Sequence, residues 1–157
     1  MAVELRAAVH EDEASVLRVI RAALESYHSW SGGWVAPADL NEHERERWRT
    51  SDPARRLVAL VGMRVVGVCR LGGGESATLS LLMVEPGSWG AGVGSALHAK
   101  ALASMTASGA RSARLTVPAR NLRARRFYER NEWCRTATPV HLHEWLDLPM
   151  VEYARVL

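Results

Sequence analysis

Leu81-Leu82-Met83-Val84-Glu85-Pro86-Gly87-Ser88-Trp89-Gly90-Ala91-Gly92-Val93-Gly94-Ser95-Ala96-Leu97 is an apolar run stopped by a proline, then three alternate glycines, then at once an amphipathic helix pattern. A helix that starts this way presents bare backbone amides, and its dipole adds roughly half a positive charge at that end. Glycines let a ligand approach the main chain and supply positive φ where a turn needs it. The stretch predicts a strand–loop–helix unit that holds a phosphate-bearing ligand.

Two phosphate loops can be tested against this spacing. A nucleoside-triphosphate loop needs a lysine directly after its last glycine, with Ser or Thr beside it. Gly87 and Gly92 have the right separation, but Val93 stands where the lysine belongs. A dinucleotide fingerprint needs G-x-G-x-x-G near the first strand. Here the spacing is G-x-G-x-G in mid-chain, with Ser95 in place of the third glycine.

Outward from the loop, strand and helix periodicities alternate. Residues 5–9 read as a strand, and 12–27 as a helix with Val16, Leu17, Ile20, Ala23 and Leu24 on one face. Residues 37–50 form a highly charged second helix. Residues 56–61 and 65–71 make a hairpin around Gly62-Met63-Arg64. Residues 77–84 are the strand that feeds the glycine loop. A helix over 93–107 follows, capped by Gly109, then a strand over 113–117 and a helix over 122–130. Two tail strands are joined by a loop at 139–149. The order β-α-α-β-β-β-α-β-α-β-β predicts one mixed α/β domain over residues 1–157.

Composition narrows the function classes. Almost half of the 157 residues are apolar, enough for one core, yet no run approaches the ~20 needed to span a bilayer. The start, Met1 to Arg6, has no signal-peptide pattern. Cys69 and Cys134 are isolated and fall in expected strands, so both are read as buried free thiols of a cytoplasmic protein. A net charge of +3 is too mild to argue for nucleic acid. Glu85 is read as a solvent-facing loop residue. His141 and His143 have no partner at ligand spacing, so no metal is expected.

A second stretch completes the reading: Leu115-Thr116-Val117-Pro118-Ala119-Arg120-Asn121-Leu122-Arg123-Ala124-Arg125-Arg126-Phe127-Tyr128-Glu129-Arg130-Asn131-Glu132-Trp133. Asn121 stands at a helix N-cap position. Tyr128 follows two helical turns later on the same face, about 10 Å away, with small Ala124 between them. Such a face can hold an extended chain at one end and meet its reactive tip at the other.

Val84-x-Pro86 followed by Gly90-x-Gly92-x-Gly94-Ser95-Ala96-Leu97, and Asn121-x-x-Ala124-x-x-Phe127-Tyr128-Glu129, together resemble the GNAT N-acetyltransferase superfamily. The resemblance covers nearly the whole chain through its element order. It implies a mostly antiparallel central sheet with helices on both faces and a V-shaped splay between the two central strands. Acetyl-CoA would lie in that splay. Main-chain groups of Leu82, Met83 and Val84 would pair with the pantetheine arm. Amides of Trp89, Gly90, Ala91, Gly92, Val93, Gly94 and Ser95 would hold the pyrophosphate. Asn121, Ala124 and Phe127 would touch the arm, and Tyr128 would sit at the sulfur. Arg123, Arg125 and Arg126 are candidates for the 3′-phosphate, and a solvated basic helix face is the alternative.

Transfer of the acetyl group to a primary amine of a small molecule or peptide, by direct attack in a ternary complex, needs a neutral amine, a stabilised oxyanion and a proton for the leaving thiolate. The resemblance and this chemistry give Tyr128 the role of general acid and a main-chain amide at Met83 or Val84 that of oxyanion contact. The strand before the loop lacks the glutamate many relatives carry. Glu25, His28 and Glu75 are the base candidates, with a water relay as the alternative. Tyr27, Trp30 and Trp34 are candidate acceptor contacts. Trp89 replaces the usual Arg or Gln, and Asn131 is expected to take the left-handed conformation after the last helix. The rival to an acetyltransferase is a non-catalytic acyl-CoA-binding domain. A homodimer is expected by family analogy.

Overall fold

A computed structural model describes residues 2–157. The strands are β1 (Val3–Ala7), β2 (Arg56–Val61), β3 (Arg64–Gly72), β4 (Ser76–Val84), β5 (Ser112–Pro118), β6 (Cys134–Arg135), β7 (His141–Leu142) and β8 (Pro149–Val156). The helices are α1 (Glu13–Glu25), α2 (Leu40–Thr50), α3 (Val93–Ala107) and α4 (Leu122–Arg130). One sheet runs β1-β2-β3-β4-β5-β8-β6, with β7 also paired to β8. Every pairing is antiparallel except β4 with β5. The expected mixed α/β architecture, mostly antiparallel, is the one observed.

Each sheet face buries a separate core. On one face α1 and α2 contribute Val16, Val19, Ile20, Leu24, Leu40 and Trp48, packed on Val58, Val68 and Leu81. On the other, α3 contributes Val93, Leu97, Ala101 and Met105, joined by Tyr128 of α4 and by Trp133. Gly67 lets α3 press onto β3: a Cβ there would lie 2.8 Å from Leu97 and 2.9 Å from Val93. Burial of this kind stabilises by about 25 cal/mol per Å² of apolar surface.

Two features open the sheet at its middle. β4 and β5 pair only over Ser76–Thr78 and Ser112–Arg114, and then diverge. A bulge accompanies the divergence. Arg70 lies opposite Leu81 but Leu71 lies opposite Leu79, so Ser80 is left over. One extra residue reverses which face each side chain takes. Leu79 accordingly packs in the α3 core while Leu81, two residues on, packs in the α1 core.

Several local expectations are corrected. The first strand lies two residues earlier than expected, at the same length, and both early helices are shorter, because a 3-10 turn follows α1 and residues 38–39 precede α2 as a turn. The tail carries β6, β7 and β8 rather than two strands. Cys69 is buried, and burial pushes its thiol up to about 12, but Cys134 is exposed because β6 lies at the sheet edge. Glu85 is buried, not solvent-facing. It binds Arg64 through both oxygens (3.0 and 2.9 Å) and Arg18, and these contacts, Arg64 first, hold it below the usual carboxylate range. Asn131 has φ −101°; Glu132 takes the left-handed conformation instead, at φ 71°.

Candidate functional site

The β4 edge beyond Thr78 has no strand on its β5 side. Glu85 N donates to Val66 O at 2.9 Å, so the polar groups of Glu85 face β3. Main-chain direction alternates along a strand, so the N–H and C=O of Leu82 and Val84 face the cleft. Those of Met83 face β3, which corrects its place in the expected oxyanion and pantetheine contacts. Val84 O already has one partner: the indole Nε1 of Trp89 donates to it at 3.0 Å.

The loop after β4 is shaped by positive φ at Gly90 (79°) and Gly92 (82°), and a Cβ at either would meet only open space. Gly92 caps α3, and the first helical bond runs from Ala96 N to Gly92 O at 3.0 Å. The amides of Val93, Gly94 and Ser95 precede that bond, so they are the unsatisfied donors of a helix start.

A cavity of about 480 Å³ joins these groups to α4. It is lined by Leu82, Met83, Val84, Trp89, Gly90, Gly92, Val93, Gly94 and Ser95, and across from them by Asn121, Arg123, Ala124, Phe127 and Tyr128. Ala91 is exposed on the loop outside this lining. Asn121 caps α4, its side-chain oxygen accepting from Ala124 N at 3.2 Å. Tyr128 is buried and lines this cavity. Burial, helped by the nearby Tyr27, pushes its pKa well above that of a free phenol.

The arginines of α4 separate by role. Arg123 lies 4.0 Å over the Trp89 ring at the cavity mouth. Arg125 turns inward to Tyr153 Oη (2.9 Å) and Ala119 O (2.8 Å), so it braces the helix rather than reaching a ligand. Arg126 is exposed, and Arg130, not singled out from the sequence, also lines the cavity.

On the α1–α2 face a second cavity, about 430 Å³, shares Tyr27, Leu82, Met83, Asn121, Ala124 and Tyr128 with the first. The two meet at Tyr128 through the splayed strands. Burial pushes the Tyr27 hydroxyl up to about 12, opposed by Asn121. Beyond the junction lie Glu44 and Arg47 of α2, Arg70 of β3 and His143. Burial, with Arg47 second, lowers the His143 pKa. None of these four was a site candidate from sequence. One signal did exist, since Leu40, Glu44 and Trp48 form a buried i, i+4 row with a carboxylate in the middle.

The other sequence candidates lie elsewhere. Glu25 is exposed and 3.4 Å from Arg21. His28 is exposed, with Nδ1 3.2 Å from Trp34 O. Glu75 stands beyond the closed end of β4, beside Gly72–Gly74 in a separate hollow. Neither cavity at Tyr128 includes any of the three. Trp30 lines the first cavity, on the glycine-loop side. Trp34 packs beside Tyr27 and donates its indole N–H to Leu146 O at 2.9 Å, and Trp48 is buried core. Among the described residues no cluster of three His, Cys, Asp or Glu could hold a metal, and no helix is long and apolar enough to cross a membrane.

Solved structures share this fold over nearly their full length. The chain is similar to PaiA N-acetyltransferase from Thermoplasma acidophilum in complex with coenzyme A, at 19% identity and TM-score 0.72, covering 100% of both chains. It is similar to Ard1 from Thermoplasma volcanium, at 23% identity and TM-score 0.74, covering 100% of this chain and 99% of that one. A GNAT-family acetyltransferase from Staphylococcus aureus gives TM-score 0.79 at 14% identity, covering 99% of each chain. Among curated proteins none matches. The model of the acetyltransferase (GNAT) family matches residues 19–133, well over half the chain. The chain therefore belongs to the acetyltransferase (GNAT) family.

Proposed function

We propose that the protein is an N-acetyltransferase that moves the acetyl group of acetyl-CoA to a primary amine by direct attack, with both substrates bound. The observation that carries this reading is the meeting of two cavities at Tyr128: one beside bare helix amides and an unpaired strand edge, the other lined by charged side chains. Open space at Gly90 and Gly92 leaves room for a pyrophosphate against the main chain. Acetyl-CoA supplies an activated thioester carbonyl.

The residues of this chain do the rest. Amides of Gly90, Gly92, Val93, Gly94 and Ser95 bind the pyrophosphate; Trp89 N–H, expected to join them, already donates to Pro86 O at 3.2 Å, and Arg123 is the α4 guanidinium at that mouth. The cleft-facing groups of Leu82 and Val84 bind the pantetheine as an added strand would, with Asn121, Ala124 and Phe127 opposite. Val84 N–H donates to the oxyanion. Tyr128 Oη donates to the sulfur as the C–S bond breaks. Burial raises its pKa, so Tyr128 stays protonated and donates a hydrogen bond to the sulfur as charge grows there, while the proton lost by the attacking amine balances the one the thiolate takes up. The Trp89 indole takes one of the two acceptor sites of Val84 O, so an amide of the arm either shares that oxygen or displaces the indole. Glu25, His28 and Glu75 do not fit the role of base, which leaves a water relay or a group in the second cavity.

Thiol release from acetyl-CoA over a panel of amines, with CoA affinity measured in parallel, tests the reading. Turnover that collapses in Tyr128→Phe while CoA affinity holds supports it. Tight CoA binding without turnover on any amine supports the non-catalytic alternative.

A further inference from the structure

The second cavity contains two buried charges that do not meet. Arg70 is 5% exposed and Glu44 6% exposed. Arg70 Nη1 and Glu44 Oε2 have no hydrogen-bond partner among the described residues, and no ion pair forms between them at 4 Å or less. Leaving either orphan unsatisfied is costly, because each has lost its water.

Other charges on this face are satisfied. Glu152 takes Arg114 at 2.9 Å, Thr136 at 2.8 Å and Thr138 at 3.0 Å. Arg47, by contrast, makes no ion pair among the described residues, and burial first, with Arg47 second, lowers the Arg70 pKa. What remains is two cations and one carboxylate around a cavity that reaches Tyr128.

This pattern specifies a ligand. A simple amine could satisfy Glu44 but would leave Arg70 orphaned and add to the positive charge. A simple anion would do the reverse. A molecule with both a compact anion and an N–H donor satisfies both at once, and a guanidinium fork is well matched to a carboxylate. Arg70 faces Leu81 across the β3–β4 ladder, two residues before Met83 at the cavity junction. That is about 6–7 Å along a strand, within the span of a small amino acid held by one arginine.

We propose that the acceptor is an amino acid or a similar amine bearing a carboxylate, anchored by Arg70 with Arg47 beside it, while Glu44 accepts from its amine or another N–H of the same molecule. The inference rests on the acetyltransferase reading only for what then happens to the amine. The anchoring itself is a binding claim.

The test is calorimetric binding to the CoA-loaded protein, using L-methionine, L-phenylalanine, L-glutamate and 4-aminobutyrate, each beside its carboxamide. At least one acid should bind about tenfold or more tightly than its amide, as expected for loss of a charge-assisted contact. Arg70→Gln should bring that ratio close to one, Arg70→Lys should restore part of it, and Arg47→Gln should reduce it less. The wild-type pairs decide the matter even if an Arg70 variant fails to fold. Equal binding of acids and amides, or no binding by any acid, overturns the proposal. Acids that bind selectively uphold the anchor even if thiol release from acetyl-CoA, followed separately over the amine panel, defeats the acetyltransferase reading.

Discussion

On the α3 side of the cleft the exposed polar groups are main-chain atoms of Leu82, Val84, Gly90 and Gly92–Ser95, close together in the chain. On the α2 side they are side chains of Glu44, Arg70 and His143, brought together from α2, β3 and the β7–β8 connection. In the proposed reading the first half takes what its ligand shares with others of its kind, a pyrophosphate and an amide chain, for which backbone suffices. The second, in that reading, selects one acceptor from another, which needs charges at chosen points. Tyr128 and Asn121 line both halves, so each half can be perturbed while the other is watched.

The largest effect is expected at the shared residue. Tyr128→Phe should lower kcat by about 10²-fold or more, with CoA affinity nearly unchanged; thiol-release kinetics beside a CoA titration would show it. Next comes the backbone half alone. Gly92 at φ 82° cannot take a β-branched side chain without strain of about 1–2 kcal/mol, and the new side chain would also stand in open ligand space. Gly92→Val should weaken CoA binding by about tenfold or more, while leaving the preference among bound acceptors intact.

Smaller effects sharpen the contrast. Trp89→Phe removes the donor that occupies Val84 O. If that bond competes with the cofactor, CoA should bind about threefold to fivefold more tightly, the size of one net hydrogen bond; weaker binding would mean the indole stays and helps. The raised pKa of Tyr128 fixes the sign of a pH effect. The working form is the protonated one, and it persists above the ordinary phenol value of 10.0. The kcat profile should therefore show no fall near pH 10 from this group, whereas an exposed tyrosine acid would produce one. Glu132→Gly touches neither half. It relieves a left-handed backbone at the loss of an ion pair whose carboxylate is 83% exposed, and should raise Tm by about 2–4 °C with both affinities unchanged.

The same contrast explains what the sequence revealed. The donor half is legible because its groups are contiguous: Val84-x-Pro86, the alternate glycines and the Asn121–Tyr128 face each lie within one short stretch. The element order, and with it the fold, follows from periodicities of similar length. The acceptor half is not legible because Glu44, Arg70 and His143 are far apart in the chain and meet only after the sheet forms. The bulge is hidden too. Thr78-Leu79-Ser80-Leu81 reads as unbroken alternation, yet Leu79 and Leu81 face opposite cores. Charge alone gave the wrong impression at Glu85, whose partners Arg18 and Arg64 are distant in sequence, and at Glu75, which sits at the closed end of the splay. At the end of α4, residue preference favoured Asn131 for the left-handed position, but the chain places Glu132 there.

The central claim is that the two halves deliver their ligands to one point, so that the acetyl group passes straight from thioester to amine. A single-turnover experiment with acetyl-labelled acetyl-CoA and a broad amine panel, read by mass spectrometry of protein and small molecules together, tests it directly. The account predicts label on the amine nitrogen, one CoA thiol released per acetyl transferred, and no labelled protein at any time. Label on a side chain of the protein before it reaches the amine, or bound acetyl-CoA that never loses its acetyl group to any amine, would contradict it.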